Sequence, residues 1–286
     1  MEDKEFTVSR DDMRRALDTF GVEKDAIILT HSSLKSCGTI EGGAEGVIAA
    51  ISDTIPEGTV VFPTLAKSNW GTVYRDWHMD RPSEVGFISE TFRKQKGSLR
   101  SNSPTHSVAA RGRNAADLVS GPDNEGPRIG IFGSYPFGHY SSWQKMYESR
   151  KRYGVRSYML FWGVNMNYLT LKHLIEYMYT EEMLARVKDP ELLADLVQDL
   201  AQYPVPEGKI FFTVHWPFYS SESVYQKILL PEGIAKCAPL GKNELRITDT
   251  YETVERTLTL MREDPYRWVT PYTHPWLDRL FRAIGK

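Results

Sequence analysis

Met79-Asp-Arg-Pro-Ser-Glu-Val-Gly86 is followed along the chain by Phe92-Arg-Lys94, by Leu99-Arg-Ser101 and then by Pro104-Thr-His-Ser-Val-Ala-Ala110. The order predicts a serine-capped helix that begins at about Ser83, a basic turn that ends at Arg100, and a short apolar strand that carries His106. Several such segments in a fixed order and spacing are far more informative than an isolated Pro-Thr-His.

The same alternation of helix and strand extends to both sides of this stretch. Ser9 is placed to cap a first helix that ends near Gly21. Further helices are predicted at 42–55, 169–186 and 251–262, and strands at 26–29, 59–62, 106–110, 158–163 and 209–216. Residues 135–156 and 190–206 read as insertions, with a helix cap at Ser141 or Ser142, and residues 268–286 as a short terminal helix. Alternating helices and strands predict an α/β sheet that is covered on both faces.

Composition narrows the class of protein. The 286 residues carry a formal net charge of -2 and are 41% hydrophobic, which favours a globular chain and argues against a nucleic-acid partner. The charged start and the lack of an apolar run of about 18–20 residues predict a cytoplasmic protein with no membrane partner. The two cysteines, Cys37 and Cys237, are too few for a disulfide framework, and we expect buried reduced thiols.

The segments quoted first, together with the spacing of Thr170, His173 and Glu176, resemble the aminoglycoside 3-N-acetyltransferase family. The resemblance covers most of the chain, including Gly233-Ile-Ala235 and Glu263-Asp-Pro265. It implies one domain over residues 1–286, with a three-layer α/β/α sandwich, a mixed central sheet and lid-like insertions. It also implies acetyl-CoA as the co-substrate and an amine as the acceptor, most simply the 3-amino group of an aminoglycoside.

The loop His31-Ser-Ser-Leu-Lys-Ser-Cys-Gly38 is the predicted donor site. By resemblance it lies along the phosphates and pantetheine of CoA, and hydroxyls, a lysine and outward backbone N–H groups suit anions. Its alternative interpretation is a polar connection between a strand and a helix. The predicted cofactor contacts are Ser32, Ser33, Leu34, Lys35, Thr64 and Ser107. Thr64 is equally well explained as a strand-end hydroxyl that bonds to the backbone.

His173 is the first candidate for a catalytic base, because an amine must lose its proton before it attacks a thioester. Glu176 is three residues further along a predicted helix, on the same face, where it can orient the imidazole. The alternative is an ordinary His-Glu pair on a solvated face. Members of the family usually carry Asn immediately before the threonine, whereas this chain has Leu169, so Asn167 is a candidate substitute.

His106 is the second catalytic candidate, since with Ser107 it can approach the thioester; a hydrogen-bonded core histidine is the equal alternative. Ser103 stands where relatives often carry a further histidine. His139 lies in a loop that is a candidate cover for the acceptor, and His31 is expected to bond beneath the donor loop. Arg100 belongs to a basic run best explained as a solvated helix end, with loop orientation or phosphate contact as the alternative.

Three alternatives to an aminoglycoside acetyltransferase remain. One option is a non-antibiotic amine, because a site for a polycation is usually acidic. The segment before Pro82 instead mixes cationic and acidic side chains, namely Lys67, Arg75, Asp76, Asp80 and Arg81. A metal-dependent hydrolase would use His106, His139 and His173, although no dense metal motif is present and no metal is expected. A non-catalytic module would bind CoA or sugar without turnover. A homodimer is left open.

Overall fold

The computed structural model describes residues 7–66, 76–121, 126, 128–129, 136–201, 221–269 and 271–285. The strands in these residues are β1 Thr7–Val8, β2 Ile27–Ser32, β3 Thr39–Ile40, β4 Thr59–Pro63, β5 Leu99–Arg100, β6 Val108–Gly112, β7 Ser157–Trp162, β8 Ala235–Leu240 and β9 Asn243–Asp249. The α-helices are α1 Arg10–Asp18, α2 Gly43–Thr54, α3 Phe87–Lys94, α4 Ala115–Val119, α5 Ser142–Tyr147, α6 Ser149–Tyr153, α7 Leu171–Leu184, α8 Pro190–Ala201, α9 Ser221–Val224, α10 Thr250–Glu263, α11 Pro265–Trp268 and α12 His274–Ala283. A 3₁₀ turn covers Met166–Tyr168.

The central sheet has the strand order β5-β6-β4-β2-β7-β9-β8 in the described part of the chain. β2 is parallel to β4 and β7, whereas β6 and β9 are antiparallel to their neighbours, so the sheet is mixed as predicted. The carboxyl ends of β2, β4 and β7 therefore share one edge, and Val108 at the start of β6 pairs with Pro63 at that same edge. Four connections meet there, which is where α/β folds usually place ligands.

Helices cover both faces of the sheet, which confirms the three-layer α/β/α sandwich. One core packs α1, α2 and α3 against the sheet through side chains such as Leu17, Val47 and Phe92. The opposite core packs α5, α7, α10 and α12 through side chains such as Trp143, Leu174 and Leu280. β-strand residues alternate between the two cores, so both layers are fixed by the pleat of the sheet.

The predicted helix caps have mixed outcomes. Ser9 caps α1 in a capping box with Asp12, and Ser141 caps α5, so these two predictions are confirmed. The prediction of a helix capped by Ser83 is wrong, because α3 begins at Phe87 after Gly86, whose φ is 128°. The backbone N–H of Ser83 instead donates to Glu90 Oε2 at 2.8 Å, so a helix side chain reaches back to the loop.

Other differences concern strand ends and burial. The strand predicted to carry His106 begins only at Val108, and Pro104 to His106 form a turn, because proline has no N–H for a sheet ladder. The β8–β9 hairpin was not predicted, and the strand predicted at 209–216 lies outside the described residues. Cys37 is buried, but Cys237 is exposed, which corrects that expectation. No helix in the described residues is both long and apolar enough for a bilayer span.

Candidate active site

A cleft of about 770 Å³ opens at the carboxyl edge of β2, β4 and β7. Its walls come from the loop after β2, the end of β4, the segment that leads into α3, the turn before β6 and the start of α7. The end of β4 and the segment into α3 belong to one connection, so these walls come from the four connections that the sheet topology brings together, and the position of the cleft follows from the strand order.

The predicted donor loop forms one wall, through Ser32, Ser33, Leu34 and Lys35. Its shape is fixed locally, since Ser33 N–H donates to Trp162 O at 2.9 Å and Ser36 Oγ donates to Ser33 O at 3.0 Å. Gly163 at the end of β7 is required here, because a Cβ at this residue would lie 1.9 Å from Ser36 Oγ. The side chains of Ser36 and Cys37 therefore pack directly against the backbone of Gly163, which holds the loop at the end of β7.

His173 and Glu176 form a tight pair at the start of α7. Nδ1 of His173 lies 2.7 Å from Oε2 of Glu176, and the side chains are 17% and 2% exposed. Burial, followed by the positive charge of Lys172, lowers the pKa of His173 well below its ordinary value, so the imidazole is neutral at pH 7. The pair is not a solvated one, and His173 lines the cleft while Glu176 stands behind it.

His106 lies beside His173, with 5.7 Å between the ring centroids. Its Nδ1 is 3.0 Å from Thr105 Oγ1, and its ring is 4.8 Å from that of Phe137. Burial lowers the pKa of His106 as well, with His173 as the second cause. Both interpretations of His106 apply together, since the side chain is buried and hydrogen-bonded and also lines the cleft.

His31 has a larger place in the cleft than its sequence position indicated. Its ring stacks on Phe161 with 5.3 Å between centroids, and the residue is 5% exposed at the cleft wall. Burial lowers the pKa of His31 to about 3, with a further contribution from Lys172. Its Nε2 and the Oγ of Ser32 are buried and have no hydrogen-bond partner in the described structure. The only sequence signal was its position at the head of the donor loop.

Thr64 and Ser107 lie behind the cleft wall rather than on it. Both are fully buried, with 3.0 Å between Thr64 Oγ1 and Ser107 Oγ. Ser107 Oγ donates to Thr64 O at 2.8 Å, and both hydroxyls accept from Arg100 Nε. Arg100 is therefore not on a solvated helix end, which corrects the favoured expectation, and the two hydroxyls are engaged within the protein.

The loop before His173 is held by polar contacts despite Leu169, which is buried in the core. Asn167 Oδ1 accepts from Glu222 N–H at 3.2 Å, and Glu222 Oε2 accepts from Met166 N–H at 2.9 Å. Arg246 pairs with both oxygens of Glu222. Asn167 thus supplies polar contacts in this loop, as the sequence suggested, with Glu222 as a partner that the sequence did not identify.

His139 lies apart from His106 and His173. Its Nε2 is 2.7 Å from Glu181 Oε1, and Arg128 bonds to both His139 and Glu181. Glu181 is eight residues beyond His173 on α7, a rise of about 12 Å along the helix. Across the described residues no three His, Cys, Asp or Glu side chains are grouped to hold a metal ion. The three histidines of the hydrolase alternative are not brought together.

The family model described as aminoglycoside 3-N-acetyltransferase matches residues 29–262. The SPbeta prophage-derived aminoglycoside N(3')-acetyltransferase-like protein YokD of Bacillus subtilis (strain 168) is 28% identical over 200 residues, which are 62% of this chain and 68% of that protein.

Two solved structures support the fold. The apoenzyme of the aminoglycoside acetyltransferase AAC(3)-IVa matches with a TM-score of 0.69 at 20% identity, over 98% of this chain and 100% of its own. AAC-IIIb, solved as a binary complex with CoASH, matches with a TM-score of 0.62 at 18% identity, over 93% and 99%. Because the family model spans most of the sequence, this chain belongs to the aminoglycoside 3-N-acetyltransferase family and is an acyltransferase.

Proposed function

We propose that this protein transfers the acetyl group of acetyl-CoA to the 3-amino group of an aminoglycoside, with His173 as general base. The observation that carries the proposal is the His173–Glu176 pair, whose histidine lines the same cleft as the donor loop while the buried Glu176 holds it from behind. Membership of the family and the CoASH complex of AAC-IIIb support the choice of donor.

The donor is assigned to the wall formed by Ser32, Ser33, Leu34 and Lys35. Lys35 offers a positive charge for phosphates, and the loop offers hydroxyls and backbone N–H groups. Buried polar atoms without partners are costly, by about 1–3 kcal/mol each. The unpaired Nε2 of His31 and Oγ of Ser32 therefore suit the amide-rich pantetheine arm, which can hydrogen-bond to both.

The chemistry assigned to His173 is removal of a proton from the acceptor ammonium or from the attacking amine. A neutral imidazole is needed, and burial keeps His173 in that form at pH 7. The nitrogen forms a bond to the acetyl carbon and the carbon–sulfur bond breaks. Of the two protons that the ammonium loses overall, one passes through His173 to the departing thiolate and the other passes to solvent. Backbone N–H groups or hydroxyls stabilise the tetrahedral oxyanion, and no acyl-enzyme forms.

Glu176 is assigned a supporting role, because its carboxylate accepts from Nδ1–H of His173 and stabilises the imidazolium that forms. His106 is assigned to the reacting end of the donor, as its ring adjoins that of His173 on the cleft wall. Thr64 and Ser107 support the cleft from behind, through contacts with Arg100.

The test is a thiol-release assay with acetyl-CoA against aminoglycosides and a panel of simpler amines. Release with an aminoglycoside, and a product acetylated at the 3-amino group by NMR, supports the proposal. Release only with simpler amines assigns the enzyme to a non-antibiotic acceptor. Binding of acetyl-CoA without release for any amine would contradict the proposed activity and favour a binding module.

A further inference from the structure

Arg100 joins three separate segments of chain through its guanidinium. Nη2 donates to Thr64 O at 2.6 Å, and Nε donates to the hydroxyls of Thr64 and Ser107 at 3.2 and 3.3 Å. Nη1 donates to Met79 O at 2.8 Å and also to Arg81 O. The acceptors are three carbonyls and two hydroxyls, and all three nitrogens of the guanidinium donate to them.

The segments joined in this way carry one wall of the cleft. Leu65 directly follows Thr64, and Glu84, Val85 and Gly86 follow the turn that contains Met79 and Arg81; all four line the cleft. A further bond runs from Glu84 N–H to Leu65 O at 2.9 Å. This wall of the cleft is thus anchored at one end by a single partly buried side chain, that of Arg100.

Arginine suits this position better than lysine. Its planar group reaches carbonyls in several directions and also packs over the Trp77 ring, with 4.6 Å from Cζ to the ring centroid. Burial lowers the pKa of Arg100 to about 10, so the group stays charged at pH 7 and its bonds are charge-assisted. Asp80 and Glu90 favour the charged form from further away.

We propose that Arg100 is a positioning residue for donor binding, which fixes the segment 79–86 against the ends of β4 and β6 and so sets the width of the cleft. This inference rests on the proposed function, because acetyl-CoA is the ligand whose binding it governs. Thr64 and Ser107 act through Arg100 and not by touching the donor.

The test compares Arg100→Met and Arg100→Lys with the matched control Arg111→Met. Arg111 is also a partly buried arginine on a strand, with Cζ 5.0 Å from the Phe92 centroid, but it bonds to Gln95 and Ser52, away from the cleft. Calorimetry measures Kd for acetyl-CoA, and hydrogen exchange on the protein without ligand measures the amides of Arg81, Ser83 and Glu84.

We expect both Arg100 variants to raise Kd by about tenfold or more, and to exchange these three amides faster, since ordering a loop on binding costs affinity. We expect Arg111→Met to lower Tm with Kd unchanged. A double variant, Thr64→Val with Ser107→Ala, raises Kd in the same direction.

Variants of Arg100 that lower Tm but keep the wild-type Kd and exchange rates would overturn the proposal and leave a general structural role. If the wild-type protein does not bind acetyl-CoA, that result contradicts the proposed function. The exchange rates of 79–86 in the ligand-free protein then still decide whether Arg100 holds this segment.

Discussion

Nδ1 of His173 lies 2.7 Å from Oε2 of Glu176, less than one turn further along α7. A carboxylate only accepts hydrogen bonds, so this contact places the proton of the neutral imidazole on Nδ1. Nε2 then carries the lone pair and can accept a proton from the acceptor amine. The orientation of the base thus follows from i,i+3 spacing on a helix whose start lies at the cleft.

Replacing Glu176 with Gln keeps a carbonyl oxygen for Nδ1–H but removes the charge that stabilises the imidazolium. We expect kcat to fall by about 10- to 100-fold, with Kd for acetyl-CoA unchanged, and Glu176→Ala to be worse. The control is Glu181→Gln on the same helix, which bonds to His139 and Arg128. Equal kcat for Glu176→Gln and wild type would exclude a role for the charge.

Replacing Lys35 with Ala removes an exposed cation from the donor wall. We expect Kd for acetyl-CoA to rise by about two- to tenfold at low salt, and the difference to shrink at high salt because the interaction is screened. Titration calorimetry at two ionic strengths measures both effects. The matched control is Lys24→Ala, an exposed lysine before the opposite end of β2. A Lys35 effect that is independent of salt speaks against phosphate recognition.

Acid should destabilise the protein through its buried neutral histidines. Burial lowers the pKa of His31 to about 3, and those of His106 and His173 also lie below the ordinary value. Below about pH 6.5 the unfolded chain binds protons that the folded chain does not, so stability is lost as pH falls. Each histidine contributes up to about 1.4 kcal/mol per pH unit to this loss.

Urea unfolding of wild type and His31→Gln from about pH 7.5 to 5 measures this dependence. We expect the free energy of unfolding to decrease less steeply in His31→Gln, because one of the three groups no longer titrates. Parallel curves for the two proteins would show that His31 is already charged, or accessible, in the folded state.

Ser9 should affect stability without affecting activity. Its hydroxyl accepts from Asp12 N–H and its own N–H donates to Asp12 Oδ2 at the start of α1, and Ser9 does not line the cleft. We expect Ser9→Ala to lower the free energy of unfolding by about 1 kcal/mol, with kcat and KM unchanged. A change in KM for Ser9→Ala would contradict this prediction and show that α1 is coupled to the active site.

The sequence predicted the fold where a periodic pattern or a cap was strong. The bounds of four helices were predicted to within a few residues. The signals were the apolar faces of α2, α7 and α10 and the serine before α1. Ser83 does not cap α3 because the helix begins four residues later, at Phe87, after Gly86 in a conformation with positive φ. The β8–β9 hairpin has mixed burial along β8, without clean alternation.

The candidate site was predicted in part. His173 with Glu176, and Ser32 to Lys35, lie on the cleft as expected because strand ends and the next helix start are adjacent in α/β folds. The roles of Arg100 and His31 depend on contacts with residues that are distant in the sequence. Arg100 bonds to Met79 O, about 20 residues away, and His31 stacks on Phe161, about 130 residues away. Sequence spacing carries no information on such contacts.

We propose that the Nε2 lone pair of His173 takes the proton of the acceptor amine. The most direct measurement is acetyl transfer by His173→Gln, with enzyme saturated by acetyl-CoA and an aminoglycoside that the wild type acetylates. We expect the rate to fall by about 100- to 10,000-fold while Kd for acetyl-CoA stays that of the wild type. A folded His173→Gln protein that binds acetyl-CoA and transfers acetyl at the wild-type rate would contradict the account.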